Sequence, residues 1–124
     1  MSRKVLFIDD DPHWREIAAV ALADAGHDVL TAADATEGMQ KSEGGEIGLI
    51  VLDLNLAGES GLMLMKYLNR NHPGVPILLF TGMEHDDAAV RTMLEQGADQ
   101  YLQKRSVDEL IVTVGGYFRE FGAE

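Results

Sequence analysis

The sequence predicts an α/β fold, a doubly wound five-stranded parallel sheet with five flanking helices. Three observations carry this. Short apolar runs recur at five places, and the stretches between them show helical spacing with start and stop signals at their ends. Two of the runs, 5–8 and 47–52, are apolar almost throughout, as strands covered on both faces are. Strands that alternate with helices require right-handed crossovers, which make neighbouring strands parallel.

In chain order, the first run is Val5 to Ile8. Asp11 then suits a helix N-cap, Pro12 the first helical position, where its missing N–H costs nothing, and Gly26 a helix end after Ala25. The second run is Val29 to Thr31. Asp34 caps the next helix, with Glu37 three residues on at the capping-box spacing. Ile47 to Leu52 is the third run. Leu62, Met63, Leu64, Met65 and Leu68 read as the buried side and flank of a third helix, ended by Pro73. The fourth run, Ile77 to Phe80, precedes a helix that Gly97 closes. Tyr101 to Leu102 is a weak fifth strand, and Ser106 with Glu109 repeats the capping-box spacing. Leu110, Val114, Tyr117, Phe118 and Phe121 share one face of the last helix, which Gly115 and Gly116 soften by about 1 kcal/mol each.

Composition bounds the function. A chain of 124 residues, 46% hydrophobic, is the size of one domain, 1–124, able to bury a core without staples. The absence of cysteine excludes a disulfide framework, a thiol nucleophile and a zinc ribbon, and it fits a cytoplasmic location. No apolar run approaches the roughly 20 residues that span a bilayer, so no membrane association is expected. Ten basic against twenty-one acidic residues leave a formal charge of -11, the opposite of a nucleic-acid footprint and suited to cations or basic protein surfaces. There is no glycine-rich phosphate loop. His13, His27, His72 and His85 are scattered and read as surface residues. Trp14, beside the first acidic cluster, reads equally as packing or as a contact for a partner.

In an open doubly wound sheet, ligands sit outside the carboxyl ends of the strands. The residues found there are Asp9 and Asp10 after the first strand, Asp53 after the third, Thr81 after the fourth and Lys104 after the fifth. Three carboxylates raise one another's pKa unless a cation neutralises them, and an all-oxygen site suits Mg2+. A metal there would let a phosphate approach a carboxylate that otherwise repels it. Asp53 is then a candidate nucleophile, with the Thr81 hydroxyl and the Lys104 ammonium holding phosphoryl oxygens.

With "VLFIDDDP", "LIVLDLNLAGESG", "PILLFTG" and "GADQYLQK" in this order, the chain resembles, over its whole length, the receiver domain of bacterial two-component response regulators. The resemblance implies the flavodoxin-like strand order 2-1-3-4-5. It implies a switch in which Asp53 accepts a phosphoryl group from a partner histidine kinase or histidine phosphotransfer protein. By the same likeness Asp9, Asp10, Asp53 and the backbone carbonyl of Asn55 hold Mg2+, Lys104 pairs with Asp53 or its phosphate, and Asp11 is only the helix cap. Thr81 and Tyr101 become switch residues that remodel the face of helix 4, strand 5 and helix 5 for a downstream effector protein or domain. Such a protein is a regulatory phosphoacceptor with self-catalysed phosphotransfer and autodephosphorylation. Two positions depart from the family pattern: Arg105 and Ala57 stand where proline is usual, and a trans Lys104–Arg105 bond is expected because a cis bond before a non-proline residue costs about 3 kcal/mol.

Two other readings stand beside this one. Asp9-x-Asp11 after a first strand echoes the haloacid dehalogenase-like phosphatases, in which Asp9 would carry the phosphoryl group, although Pro12 leaves no room for their flap. A receiver-like binding module that works without phosphorylation is the other. The sequence leaves open the cognate kinase, the output pathway, the phosphoryl lifetime, membership of a longer chain and the oligomeric state, a homodimer included.

Overall fold

The structure, a computed structural model, describes residues 4–56, 59–82 and 86–120. Ala57, His85 and Phe121 lie outside the described residues. The elements are β1 (Lys4–Ile8), α1 (Pro12–Asp24), β2 (Asp28–Ala32), α2 (Ala35–Glu43), β3 (Ile47–Leu52), β4 (Asn55–Leu56), β5 (Glu59–Ser60), α3 (Gly61–Asn71), β6 (Ile77–Thr81), α4 (Asp87–Glu95), β7 (Gln100–Gln103) and α5 (Val107–Glu120). Five strands form one parallel sheet in the order β2-β1-β3-β6-β7. This is the 2-1-3-4-5 order once the two-residue antiparallel hairpin β4/β5 is set aside. The hairpin falls in a stretch that the sequence marks only as turn-rich.

The caps explain where helices begin and end. Asp11, in extended conformation, accepts the His13 N–H at 2.9 Å, and Pro12 opens α1. At the other end Gly26 (φ 98°) donates to Ala23 O, and His27 donates to Leu22 O, the paired bonds of a Schellman motif. Gly97 and Ala98 close α4 in the same way. Asp34 accepts the Glu37 N–H at 2.8 Å while the Glu37 carboxylate reaches back to the Ala33 N–H, one residue before the expected reciprocal partner. Ser106 takes the Asp108 N–H at 3.0 Å. Ser60 caps α3 by accepting from Met63 N–H, a start that no apolar spacing in the sequence marks.

Alternation along each strand divides the core in two. Leu6, Ile8, Ile50, Leu52, Ile77 and Leu79 face Leu64, Met65 and Leu68 of α3 and Met93 of α4. Val5, Phe7, Leu49, Val51, Leu78 and Phe80 face Ala18 and Leu22 of α1 and Leu110, Val114 and Phe118 of α5. Every residue of β3 is buried, as its unbroken apolar run requires.

The structure corrects two expectations. Met63 is 70% exposed and Leu62 37%, because at 100° per residue they turn away from the stripe of Leu64, Met65 and Leu68. His27 is buried, its ring 4.9 Å from that of Phe118, because the residue after a helix-ending glycine turns back onto the core. α5 runs through Gly115 and Gly116 to Glu120, with Val114 and Phe118 buried on either side of the pair.

Gly61 makes a close approach. A Cβ there would lie 2.5 Å from Leu54 Cα and 2.6 Å from Leu54 O, both backbone atoms that cannot rotate away. Gly61→Ala is expected to cost about 2 kcal/mol or more through overpacking and to displace the segment carrying Asn55. Urea unfolding, with a midpoint lowered at unchanged slope, checks this.

Candidate functional site

Strand order reverses between β1 and β3, and the two strands run parallel with Ile8 opposite Leu52. The next residue of each chain segment keeps the alignment: Asp9 N–H donates to Ala32 O at 3.0 Å and Asp53 N–H to Ile8 O at 3.0 Å. The two carboxylates are therefore neighbours because the ladder makes them so, and both are buried. Asp10, half-buried, joins them, and one carboxylate oxygen from each of the three lies within 4.8 Å of the others.

Lys104 enters from β7. Its backbone N–H donates to Thr81 O at 2.7 Å, one step beyond the Thr81–Gln103 register pair. Its Nζ lies 2.6 Å from Asp9 Oδ2 and 3.0 Å from Asp53 Oδ2. Asp9 is held above the usual carboxylate range because burial outweighs the opposing pull of Lys104 and of the Asp11 N–H. Burial pulls the other way on Lys104, but its pairing with Asp9 and Asp53 holds the ammonium above the usual lysine range. The remaining oxygens are also engaged: Asp9 Oδ1 accepts from Asp11 N–H at 3.0 Å and Asp53 Oδ1 from Asn55 N–H at 3.1 Å.

Three carboxylates crowded around the Lys104 ammonium form a cluster that a further cation would help neutralise. Its donors are all oxygens, two of the three acids are buried, and the third is partly open to solvent. That set fits a hard divalent cation which keeps some of its water, and the cluster contains no soft or imidazole ligand that would favour another metal.

Asp9, Asp10, Asp53 and Lys104 are thus brought together. Thr81 is fully buried at the end of β6 and is tied to Lys104 through its carbonyl. Tyr101 lies on β7, half-buried against the cluster of α3 and α4. Asn55 is exposed, with its N–H turned to Asp53. No cis peptide bond occurs among the described residues, so Lys104–Arg105 is trans, and the Arg105 guanidinium folds onto Gln103 Oε1 at 2.7 Å. Two further neighbours join the site, Arg15, which no sequence signal marks, and Trp14, which the sequence places beside the acidic cluster without a role there. Arg15 Nη1 donates to Asp9 O at 2.9 Å, and the face of Trp14 lies 5.5 Å from Lys104 Nζ. Both depend on how the first turn of α1 folds back over its own loop, which spacing alone does not reveal.

Known proteins resemble this chain in sequence and in fold. Residues 5–114 match the profile of the response regulator receiver domain. PhoP of Bacillus subtilis, an alkaline phosphatase synthesis transcriptional regulatory protein, is 35% identical over 104 residues, 84% of this chain and 43% of PhoP. The transcriptional regulatory protein TcrA of Mycobacterium tuberculosis is 34% identical over 110 residues, 86% of this chain and 42% of TcrA. The chain thus spans less than half the length of these curated relatives. Among solved structures, a CheY-like response regulator receiver domain protein from Methanospirillum hungatei superposes with a TM-score of 0.87 at 26% identity, covering 97% of this chain and 96% of that one. The response regulator TrrA from Thermotoga maritima, in complex with Mg(2+)-BeF, gives 0.82 at 28% identity, covering 94% and 99%. With its strand order, its acidic edge and the match across residues 5–114, the chain belongs to the response regulator receiver domain family of two-component systems.

Proposed function

We propose that the protein is a phosphorylation-activated switch whose acceptor is Asp53. The observation that carries this reading is the single ammonium of Lys104 bridging Asp9 and Asp53 at 2.6 and 3.0 Å on the carboxyl edge of the sheet. A carboxylate oxygen of Asp53 attacks the phosphorus of a phosphohistidine on a histidine kinase or phosphotransfer protein. The new O–P bond forms as the P–N bond breaks, and the electron pair goes to the imidazole nitrogen, which takes a proton from solvent. Asp9, Asp10, Asp53 and the Asn55 carbonyl would hold Mg2+, whose positive charge offsets that of the incoming phosphoryl oxygens. The TrrA complex with Mg(2+)-BeF supports a receiver that takes magnesium together with an anionic group. Lys104 and the Thr81 hydroxyl would hold the remaining phosphoryl oxygens.

Thr81 and Tyr101 sit on the strands next to α4 and α5. Their rearrangement around a phosphoryl group would remodel the α4, β7 and α5 face that an effector protein or domain reads. The exposed Ile17 and Val20 of α1, 45% and 58% accessible, offer the donor protein an apolar footing near the site. No helix among the described residues is long and apolar enough to cross a membrane, and a cytoplasmic location accompanies the reading. The haloacid dehalogenase-like alternative loses ground because α1 begins at Pro12, directly after the Asp9-x-Asp11 stretch.

Rapid-quench peptide mass spectrometry after exposure to acetyl phosphate and Mg2+ tests this. One phosphoryl group on the peptide carrying Asp53 is expected. Label on Asp9 would favour the phosphatase-like chemistry, and an unlabelled protein would sink the acceptor role.

A further inference from the structure

Trp14 is the protein's one tryptophan. It sits in the first turn of α1, whose start is fixed by the Asp11 cap and Pro12, so the ring is held at a set place relative to the acid loop. Its edge-to-face contact with Phe80, centroids 5.3 Å apart at 85°, ties it to β6, and Phe80 in turn stacks edge-on against Phe7 of β1. The indole also meets Lys104, whose Nζ lies over the ring 5.5 Å from its centroid. The Lys104 side chain is only 9% exposed although Trp14 itself is half-buried.

We propose that Trp14 is a positioning residue for Lys104, an aromatic wall that holds the ammonium over Asp53 where the usual proline after the lysine is replaced by Arg105. The proposal rests on the phosphoacceptor reading. Of the three N–H groups of the ammonium one is donated to Asp53, Asp9 holds the charge as an ion pair, and the electron-rich indole adds a further attraction for it. A flexible four-carbon stem would otherwise let the head swing to water, where it is most strongly hydrated. Arg105 cannot restrain it, because its own guanidinium is engaged by Gln103 and its bond to Lys104 is an ordinary trans peptide. Only the backbone bond to Thr81 O and the walls of the site then set the direction of the side chain. Of those walls the carboxylates of Asp9 and Asp53 are shared with the cluster that would hold a metal, whereas the indole is not.

The full chain, with Trp14→Phe, Trp14→Leu and Lys104→Met variants, allows a direct test. Initial phosphorylation rates are measured against acetyl phosphate concentration in magnesium, by rapid-quench mass spectrometry. Trp14→Leu, which keeps apolar packing but has no ring face, is expected to lower the saturating rate about fivefold while the half-saturating donor concentration changes little. Trp14→Phe, with a weaker quadrupole, is expected to recover most of that loss. The emission of Trp14 is expected to differ between the wild type and Lys104→Met, since the cation lies over the fluorophore. Equal rates in Trp14→Leu and Trp14→Phe would overturn the proposal in favour of plain packing, as would emission indifferent to Lys104. Should the wild type take no label at all, the acceptor reading fails instead, and the emission comparison still decides whether the indole and the ammonium are in contact.

Discussion

Asp53→Asn is expected to abolish phosphoryl uptake and, at the same time, to stabilise the metal-free fold. The first effect follows from chemistry: an amide oxygen is a poor nucleophile. The second follows from charge. One carboxylate oxygen each of Asp9, Asp10 and Asp53 lies within 4.8 Å of the others, so removing one negative charge relieves repulsion and a burial penalty together. Asn at 53 still offers an oxygen to the Asn55 N–H. A gain of about 1 kcal/mol in metal-free buffer is expected. Magnesium reverses the ranking, because a ligand bound only by the native state adds stability, and the wild type has the fuller set of donors. Paired melts with and without millimolar magnesium, beside the labelling assay, check both halves. A variant that loses uptake because it is unfolded, or that ranks below the wild type without metal, would refute the charge argument.

Lys104→Met should produce the largest loss of stability at the site. Among the described residues its ammonium alone is paired to both buried acids, Asp9 and Asp53, and breaking a buried pair by removing one partner costs about 3 kcal/mol. The sign with pH is definite. The Asp9 carboxyl is held up by burial, so between the ordinary Asp value near 3.9 and its raised folded value the native state binds more protons than the unfolded one, and stability falls as pH rises. Without Lys104 that window widens upward, so wild type and variant converge in acid and separate towards neutrality. The wild type has an alkaline limb as well. Lys104 is raised by its partners, so the stability it contributes is complete below the ordinary lysine value and is lost as pH climbs through the raised one. Lys104→Met lacks that limb. Phosphorylation by acetyl phosphate is expected to slow about a hundredfold, the scale for removing one donor from an anion-holding site. Urea unfolding at several pH values, with rapid-quench rates at neutral pH, checks these expectations; a variant as stable as the wild type at pH 7 would argue that the bridge is electrostatically idle.

Much of the architecture is legible in the order of the residues. Period-2 and continuous apolar runs mark the five strands, and Asp11, Pro12, Gly26, Asp34, Gly97 and Ser106 mark helix ends through local hydrogen bonding or backbone torsions, which depend on a few adjacent residues. The hairpin at Asn55–Leu56 and the cap at Ser60 are not legible, because "LNLAGESG" carries no apolar period to anchor a register. Met63 departs from expectation because hydrophobicity does not say which side of a helix meets the sheet, and His27 because scattered histidines carry no pattern.

By itself the sequence determined that polar, chemically capable residues follow four of the apolar runs, since a strand's end is a local feature. Only the tertiary structure decided that these residues meet. The parallel pairing of β1 with β3 sets Asp9 beside Asp53, the β6–β7 register delivers Lys104 to both, and the turn of α1 lays Trp14 over the ammonium. The physical reason is distance along the chain: Asp53 and Lys104 are 51 residues apart, and a contact across that span exists only when the whole sheet has formed.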